Sequence, residues 1–187
     1  MRENLILQTD AYKLTHWLHY PKGTQNVYSY FESRGGEGDH TVFFGLQYLI
    51  KRHLEGVRIT QEDIDGAEEF SGRVFGTKSY FNRDGWEHIL TEHGGRLPVR
   101  IRAVPEGTVV SKRNVLMTVE NTDQKVPWLT NVLETLLVRV WYPTTVCTLS
   151  YEIRRLIQKW CERTGCEISP FHLNDFGYRG VSSEESA

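Results

Sequence analysis

The spacing of apolar residues changes several times along the chain, and each change predicts an element. Leu5, Ile6 and Leu7 form a short apolar entry. Thr9 or Asp10 suits the cap of a helix running towards His19, which Pro21 ends. Residues 27–31 are aromatic and β-branched and predict a strand, followed by a loop at Arg34-Gly35-Gly36-Glu37-Gly38-Asp39. Val42, Phe43, Leu46, Leu49, Ile50 and Leu54 recur at helical spacing and predict an amphipathic helix over 41–54. Thr60, with Asp63 three residues on, predicts a capped helix bearing Ile64, Ala67 and Val74 on one face. Asn82 opens a third helix, which carries Trp86, Ile89 and Leu90 and stops at Gly94-Gly95.

From Leu97 the period falls to two. Leu97, Val99, Ile101 and Ala103 alternate with Pro98, Arg100 and Arg102, which predicts a half-buried strand with its arginines on the solvated face. Pro105-Glu106-Gly107 and Lys112-Arg113-Asn114 are turns, with extended chain at 108–110 and 115–120. Residues 127–142 are apolar on almost every side, the mark of a helix that is buried or lies in an interface; Pro143 is expected to break it. Ile153, Leu156, Ile157 and Trp160 mark a further amphipathic helix ending near Gly165. Phe171 and Leu173 then alternate with polar neighbours as a strand would, Gly177 and Gly180 flank Tyr178-Arg179, and Ser182 and Glu185 have capping-box spacing. Strand, glycine turn with a cation, and helix N-terminus make an anion cradle; a surface turn with a solvated arginine fits the same residues.

Composition narrows the classes. The 187 residues allow one sizeable core, or one domain and part of another. A formal net charge of -2 gives no electrostatic case for nucleic acid or an anionic membrane. Mean hydropathy is -0.45, and no apolar run approaches the ~18 residues of a transmembrane helix. The three apolar residues near the N-terminus are too few for a secretory signal. Cys147, Cys161 and Cys166 are odd in number and form no CxxC pair, which suits reduced thiols and a cytoplasmic protein. His16 and His19 lack a carboxylate or cysteine cluster at ligand spacing, so no metal site is expected.

Asp175-Phe176-Gly177-Tyr178-Arg179-Gly180-Val181-Ser182-Ser183 resembles a segment of the nicotinamide phosphoribosyltransferase family, among the type II phosphoribosyltransferases. Thr9-Asp10-Ala11-Tyr12-Lys13-Leu14-Thr15-His16, Val27-Tyr28-Ser29-Tyr30-Phe31-Glu32 and Phe44-Gly45-Leu46-Gln47-Tyr48 resemble it too, as do Ala103-Val104-Pro105-Glu106-Gly107 and Val119-Glu120-Asn121-Thr122-Asp123. Trp128-Leu129-Thr130-Asn131 and Trp141-Tyr142-Pro143-Thr144-Thr145-Val146 complete the series, in family order and over nearly the whole chain. The family is longer, so the chain resembles its N-terminal portion, and the 34–39 loop is shorter and less charged than the family's.

The resemblance implies a mixed α+β domain over residues 1–168, with antiparallel strands. Residues 169–187 would be the first strand and turn of a TIM-like β/α barrel, where ligands gather at the C-terminal ends of strands. It implies transfer of phosphoribosyl from 5-phosphoribosyl-1-pyrophosphate to nicotinamide, giving nicotinamide mononucleotide and pyrophosphate, with Mg²⁺ on the pyrophosphate and ATP use left open. In that scheme Arg179 holds phosphate and Phe176 stacks on the nicotinamide ring. Tyr12 closes the ring's other face from a partner subunit of a homodimer. Asp10 belongs to the same family segment, with a helix cap as its plainer role, and Arg34 matches a phosphate-surface arginine. A nicotinate-specific relative and a non-catalytic dimerisation fragment are the alternatives, and a 187-residue portion acting alone is expected to be inactive.

Overall fold

The computed structural model describes residues 3–36 and 38–184. In chain order the elements are β1 (Tyr28–Glu32), β2 (His40–Val42), α1 (Leu46–Leu49), α2 (Gln61–Phe75), α3 (Arg83–Glu92), β3 (Val99–Ala103), β4 (Val109–Ser111), β5 (Val115–Asn121), α4 (Leu129–Leu137) and α5 (Trp141–Thr164). They divide into two compact units. The first takes Met1–Glu32, Leu46–Ala103 and Val115–Arg139; the second takes Ser33–Gly45, Val104–Asn114 and Val140–Ala187.

The first unit is built on a three-stranded antiparallel sheet of order β1-β5-β3. Pairing of Tyr28 with Glu120 and of Glu120 with Arg100 puts these three on one face, where Arg100 and Arg102 both donate to Glu120 Oε1 at 3.1 Å. Tyr28 and Tyr30 are exposed on that face, so the strand arginines are solvated as expected. Leu116, Met117 and Val119 of β5 are buried, as are Ile64 and Ala67 of α2, Trp86 and Ile89 of α3, and Leu129, Leu133 and Leu136 of α4. Trp86 meets Trp128 edge to face, with ring centroids 4.8 Å apart, a geometry that adds to the large apolar area each ring buries. Helix α2 starts in a full capping box: the Thr60 hydroxyl accepts from Asp63 N–H, while the Asp63 carboxylate accepts from Thr60 N–H. Asn82 caps α3 through Gly85 N–H.

The second unit pairs β2 with β4 antiparallel and packs this ribbon on α5. Val42 N–H donates to the Thr148 hydroxyl at 2.9 Å, and the Thr144 hydroxyl donates to Phe44 O at 3.0 Å. Helix α5 ends at Gly165 in the left-handed conformation. Tyr142, Val146, Leu149, Leu156 and Trp160 are exposed along it.

Four expectations change. Residues 41–54 do not form one helix. Thr41 and Val42 pair with β4 instead, and Gly45 at φ +104° turns the chain before α1 begins. The helix itself continues as a π-helical turn over Ile50–Leu54. The apolar run over 127–142 breaks at the 3₁₀ turn Val138–Val140, not at Pro143, which lies in the first turn of α5 where its missing N–H costs nothing. The expected burial of the run is met over α4, while Trp141 and Tyr142 at its end are exposed. Residues 11–19 wind as a 3₁₀ helix, and Asp10 makes no side-chain cap. Finally, 171–173 is no strand: Pro170–His172 and Gly177–Gly180 are 3₁₀ turns, and among the described residues no strand pairs with them. The capping box expected at Ser182 requires Glu185, which lies outside the described residues.

Candidate functional site

The residues expected to bind ligand fall in two places. In the second unit, Asp175 Oδ1 accepts from Gly177 N–H at 2.6 Å and sets up the turn that carries Phe176, Tyr178 and Arg179. Phe176 is 76% exposed, and Arg179 is exposed beside it. Arg34 is exposed in the loop after β1, where the Ser33 carbonyl accepts from Arg113 N–H. No hydrogen bond or ion pair among the described residues joins Arg34 to the 176–179 turn.

In the first unit, Tyr12 is 55% exposed and begins a row of rings: Tyr12 to His16 at 5.1 Å, then His16 to His19 at 5.4 Å. Asn131 Nδ2 donates to His16 Nδ1 at 2.8 Å, which fixes the middle ring. Below this row Asp10 accepts from the Thr135 hydroxyl at 2.8 Å, so its carboxylate ties the N-terminal segment to α4. Lys13 reaches inward to pair with Glu134 and lies 4.0 Å from Asp10. Burial pulls the Lys13 ammonium below the ordinary lysine range, against the attraction of Asp10. Among the residues expected in the site, the fold therefore joins Phe176 to Arg179 and Asp10 to the helix bearing Tyr12.

The first unit also contains a cavity of about 490 Å³, lined by Trp17, Tyr20, Asn82, His88, Lys125 and Trp128 among others. Beside it Asp123 Oδ2 lies 2.7 Å from both His88 Nε2 and His93 Nε2, while Asp123 Oδ1 accepts from Lys125 N–H at 2.8 Å. That backbone donor first, then the two imidazoles, hold the Asp123 carboxyl well below the usual carboxylate range. In the second unit Cys161, Cys166 and His172 also converge. All three cysteines are free thiols, and burial, with Cys166 alongside, pushes the Cys161 thiol up. Sequence reading passed over both clusters, although His88 and His93 straddling a helix end was a usable signal. Mg²⁺ takes oxygen ligands, and neither nitrogen- and sulfur-bearing group suits it. No helix among the described residues is long and apolar enough to cross a membrane.

A family model described as nicotinamide phosphoribosyltransferase, N-terminal domain, matches residues 4–101. The chain is 48% identical over 188 residues to a nicotinamide phosphoribosyltransferase of Xanthomonas campestris pv. campestris (strain 8004), covering 99% of this chain and 39% of that protein. It is 34% identical over 198 residues to one of Acinetobacter baylyi, covering 97% of this chain and again 39% of the relative. The crystal structure of human nicotinic acid phosphoribosyltransferase superposes with a TM-score of 0.57 at 21% identity, over 79% of this chain and 28% of that one, a likeness of fold alone. The chain thus spans about 39% of the length of these two curated relatives. With the family model matched over 4–101 and both relatives aligned almost end to end of this chain, it belongs to the nicotinamide phosphoribosyltransferase family, as an N-terminal portion.

Proposed function

We propose that the protein to which this chain belongs transfers phosphoribosyl from 5-phosphoribosyl-1-pyrophosphate to nicotinamide, forming nicotinamide mononucleotide and pyrophosphate in NAD salvage. The observation that carries this reading is the family match, with curated relatives of that name aligned over 97–99% of the chain. In this reading Arg179 forms charge-assisted hydrogen bonds to a phosphate, and Phe176 stacks on the pyridine ring. Tyr12 of a second copy covers the ring's other face. Asp10 keeps the Tyr12 segment on α4 through Thr135, and Arg34 adds positive charge to the phosphate surface. Mg²⁺, when bound with the substrate, offsets the charge of the departing pyrophosphate.

Exposure supports this division of labour. Phe176, Arg179 and Tyr12 are all open to solvent, as groups are that close on a ligand from opposite sides. The exposed apolar residues of α5 are of a kind that a larger body covers. We assign that cover to the remainder of the protein, where residues 169–187 begin a β/α barrel, and to a homodimer in the cytoplasm. The 187-residue chain by itself is then inactive, because one turn cannot fix pyrophosphate, ribose and base together.

The test is mononucleotide formation from nicotinamide, phosphoribosyl pyrophosphate and Mg²⁺ by a protein that joins this chain to the remainder of its Xanthomonas relative. Arg179→Ala should weaken phosphoribosyl pyrophosphate by about 1.5–3 kcal/mol, and Phe176→Ala should weaken nicotinamide by about 1 kcal/mol. Absence of product, or variants that leave both substrates' kinetics unchanged, refutes the reading.

A further inference from the structure

We propose that His88 Nε2, His93 Nε2 and Asp123 Oδ2 form a zinc-binding site in the first unit, beside the cavity that His88 lines. The three ligand atoms come from two stations of the fold, one helix end and one turn. His88 stands within α3, and His93 is the C-cap residue of that helix, its N–H bonded to Ile89 O at 3.2 Å. Asp123 lies in the turn after β5, thirty residues or more further along.

The carboxylate is oriented before any metal arrives. Its Oδ1 is held by Lys125 N–H, and the Asp123 carbonyl accepts from the buried Asn121 side chain at 2.8 Å, which also donates to Gln25 O. This leaves Oδ2 facing both imidazoles, the outer-shell arrangement that aims a ligand and fixes its geometry. All three ligand atoms lie within 4.8 Å of one another. Tetrahedral zinc with bonds of about 2.0–2.1 Å places its ligands roughly 3.3 Å apart. The two Nε2–Oδ2 distances of 2.7 Å therefore need to open by about half an ångström, which rotation of the half-buried rings supplies.

The donor set selects the ion. Two imidazoles and one carboxylate suit zinc and match the three-ligand pattern that keeps a fourth position for water. Magnesium and calcium, which require oxygen donors, are excluded by the same set, so this site is separate from any metal carried by a pyrophosphate.

The experiment uses the untagged 187-residue chain, stripped of metal and titrated with Zn²⁺ against a chromophoric chelator. One equivalent should bind. His93→Gln and Asp123→Asn should each weaken it at least tenfold, since loss of an outer-shell partner alone costs about 10–100-fold. A Cys161→Ser/Cys166→Ser double variant should bind as the parent does. X-ray absorption at the zinc edge gives a readout independent of any variant: a first shell of nitrogen and oxygen supports the site, and sulfur at about 2.3 Å overturns it. Failure of the parent chain to bind zinc leaves a hydrogen-bonded clasp and also overturns it. So does binding that is lost with the two cysteines and kept by the His93 and Asp123 variants, which would move the ion to Cys161, Cys166 and His172.

Discussion

The pair formed by Lys13 and Glu134 is asymmetric, and the asymmetry predicts which half can be removed. The Lys13 side chain is 3% exposed and that of Glu134 is 57% exposed. Lys13→Met keeps a stem of similar length in the same packing and takes a charge out of a dry site, leaving behind a carboxylate already in water. Because burial outweighs the pull of Asp10 on the Lys13 ammonium, losing the charge should be neutral or stabilising by up to about 1 kcal/mol. Glu134→Gln is the opposite case. It strands the buried cation with Asp10, 4.0 Å away, as its remaining ionic partner at this site. Breaking a buried pair from one side costs about 3–5 kcal/mol, and the retained Asp10 should reduce that to about 1–3 kcal/mol. Urea unfolding at neutral pH, compared at equal m, reads both. The same argument fixes a pH dependence. Between the depressed folded value and the ordinary 10.5, the unfolded chain binds more protons, so wild-type stability should rise with pH in that window. Lys13→Met should abolish that rise. The reasoning is refuted if Lys13→Met loses more than Glu134→Gln.

Three further outcomes are expected. Trp86→Ala should lose about 3–5 kcal/mol in urea unfolding, since the ring is 2% exposed and meets Trp128 edge-on; a loss under 1 kcal/mol would deny it a core role. Gly45→Ala should lower the melting temperature, because φ of +104° disfavours any Cβ and this one would run into the Pro143 ring; an unchanged melting temperature refutes the assignment. Arg83 bonds Asp65 at 2.7 Å and holds its carboxyl down, so the stability gap between wild type and Asp65→Asn should be present at neutral pH. That gap should close as pH falls below about 3.8, and a gap independent of pH contradicts the pairing.

What the sequence made legible follows the range of the interaction responsible. Thr60 with Asp63, and Asn82 with Gly85, are contacts within one turn of chain, and both caps were readable. The alternation from Leu97 was equally readable, because one sheet face is wet and the other is not. Val42 and Phe43 were misread as helical because their pairing with residues 108–110 is long in range, and apolar spacing alone does not separate a short strand from a helix. Pro143 was read as a breaker without regard to its place in the first turn of α5. For the candidate site, the glycine turn around Arg179 was visible, but a strand is set by pairing with distant residues, and 170–172 forms a 3₁₀ turn instead. The closeness of His88 and His93 on one helix end was readable, but Asp123 as their partner was not, since that depends on the turn after β5 meeting the end of α3.

The strand order β1-β5-β3 has a consequence for how the protein is made. The central strand is the last of the three to be synthesised. When β1 leaves the ribosome at Glu32 it has no partner, and when β3 follows at Ala103 the two still cannot pair with each other in the final register. Both wait for Asn121, the end of β5. At about 5–20 residues per second, β1 spends roughly 4–18 s as an unpaired edge carrying Tyr28, Tyr30 and Phe31. Unpaired aromatic edges are templates for pairing with other chains, so this interval exposes β1 to association between nascent chains. Slower initiation, which spaces ribosomes along the message, should raise the soluble fraction without any change of residue.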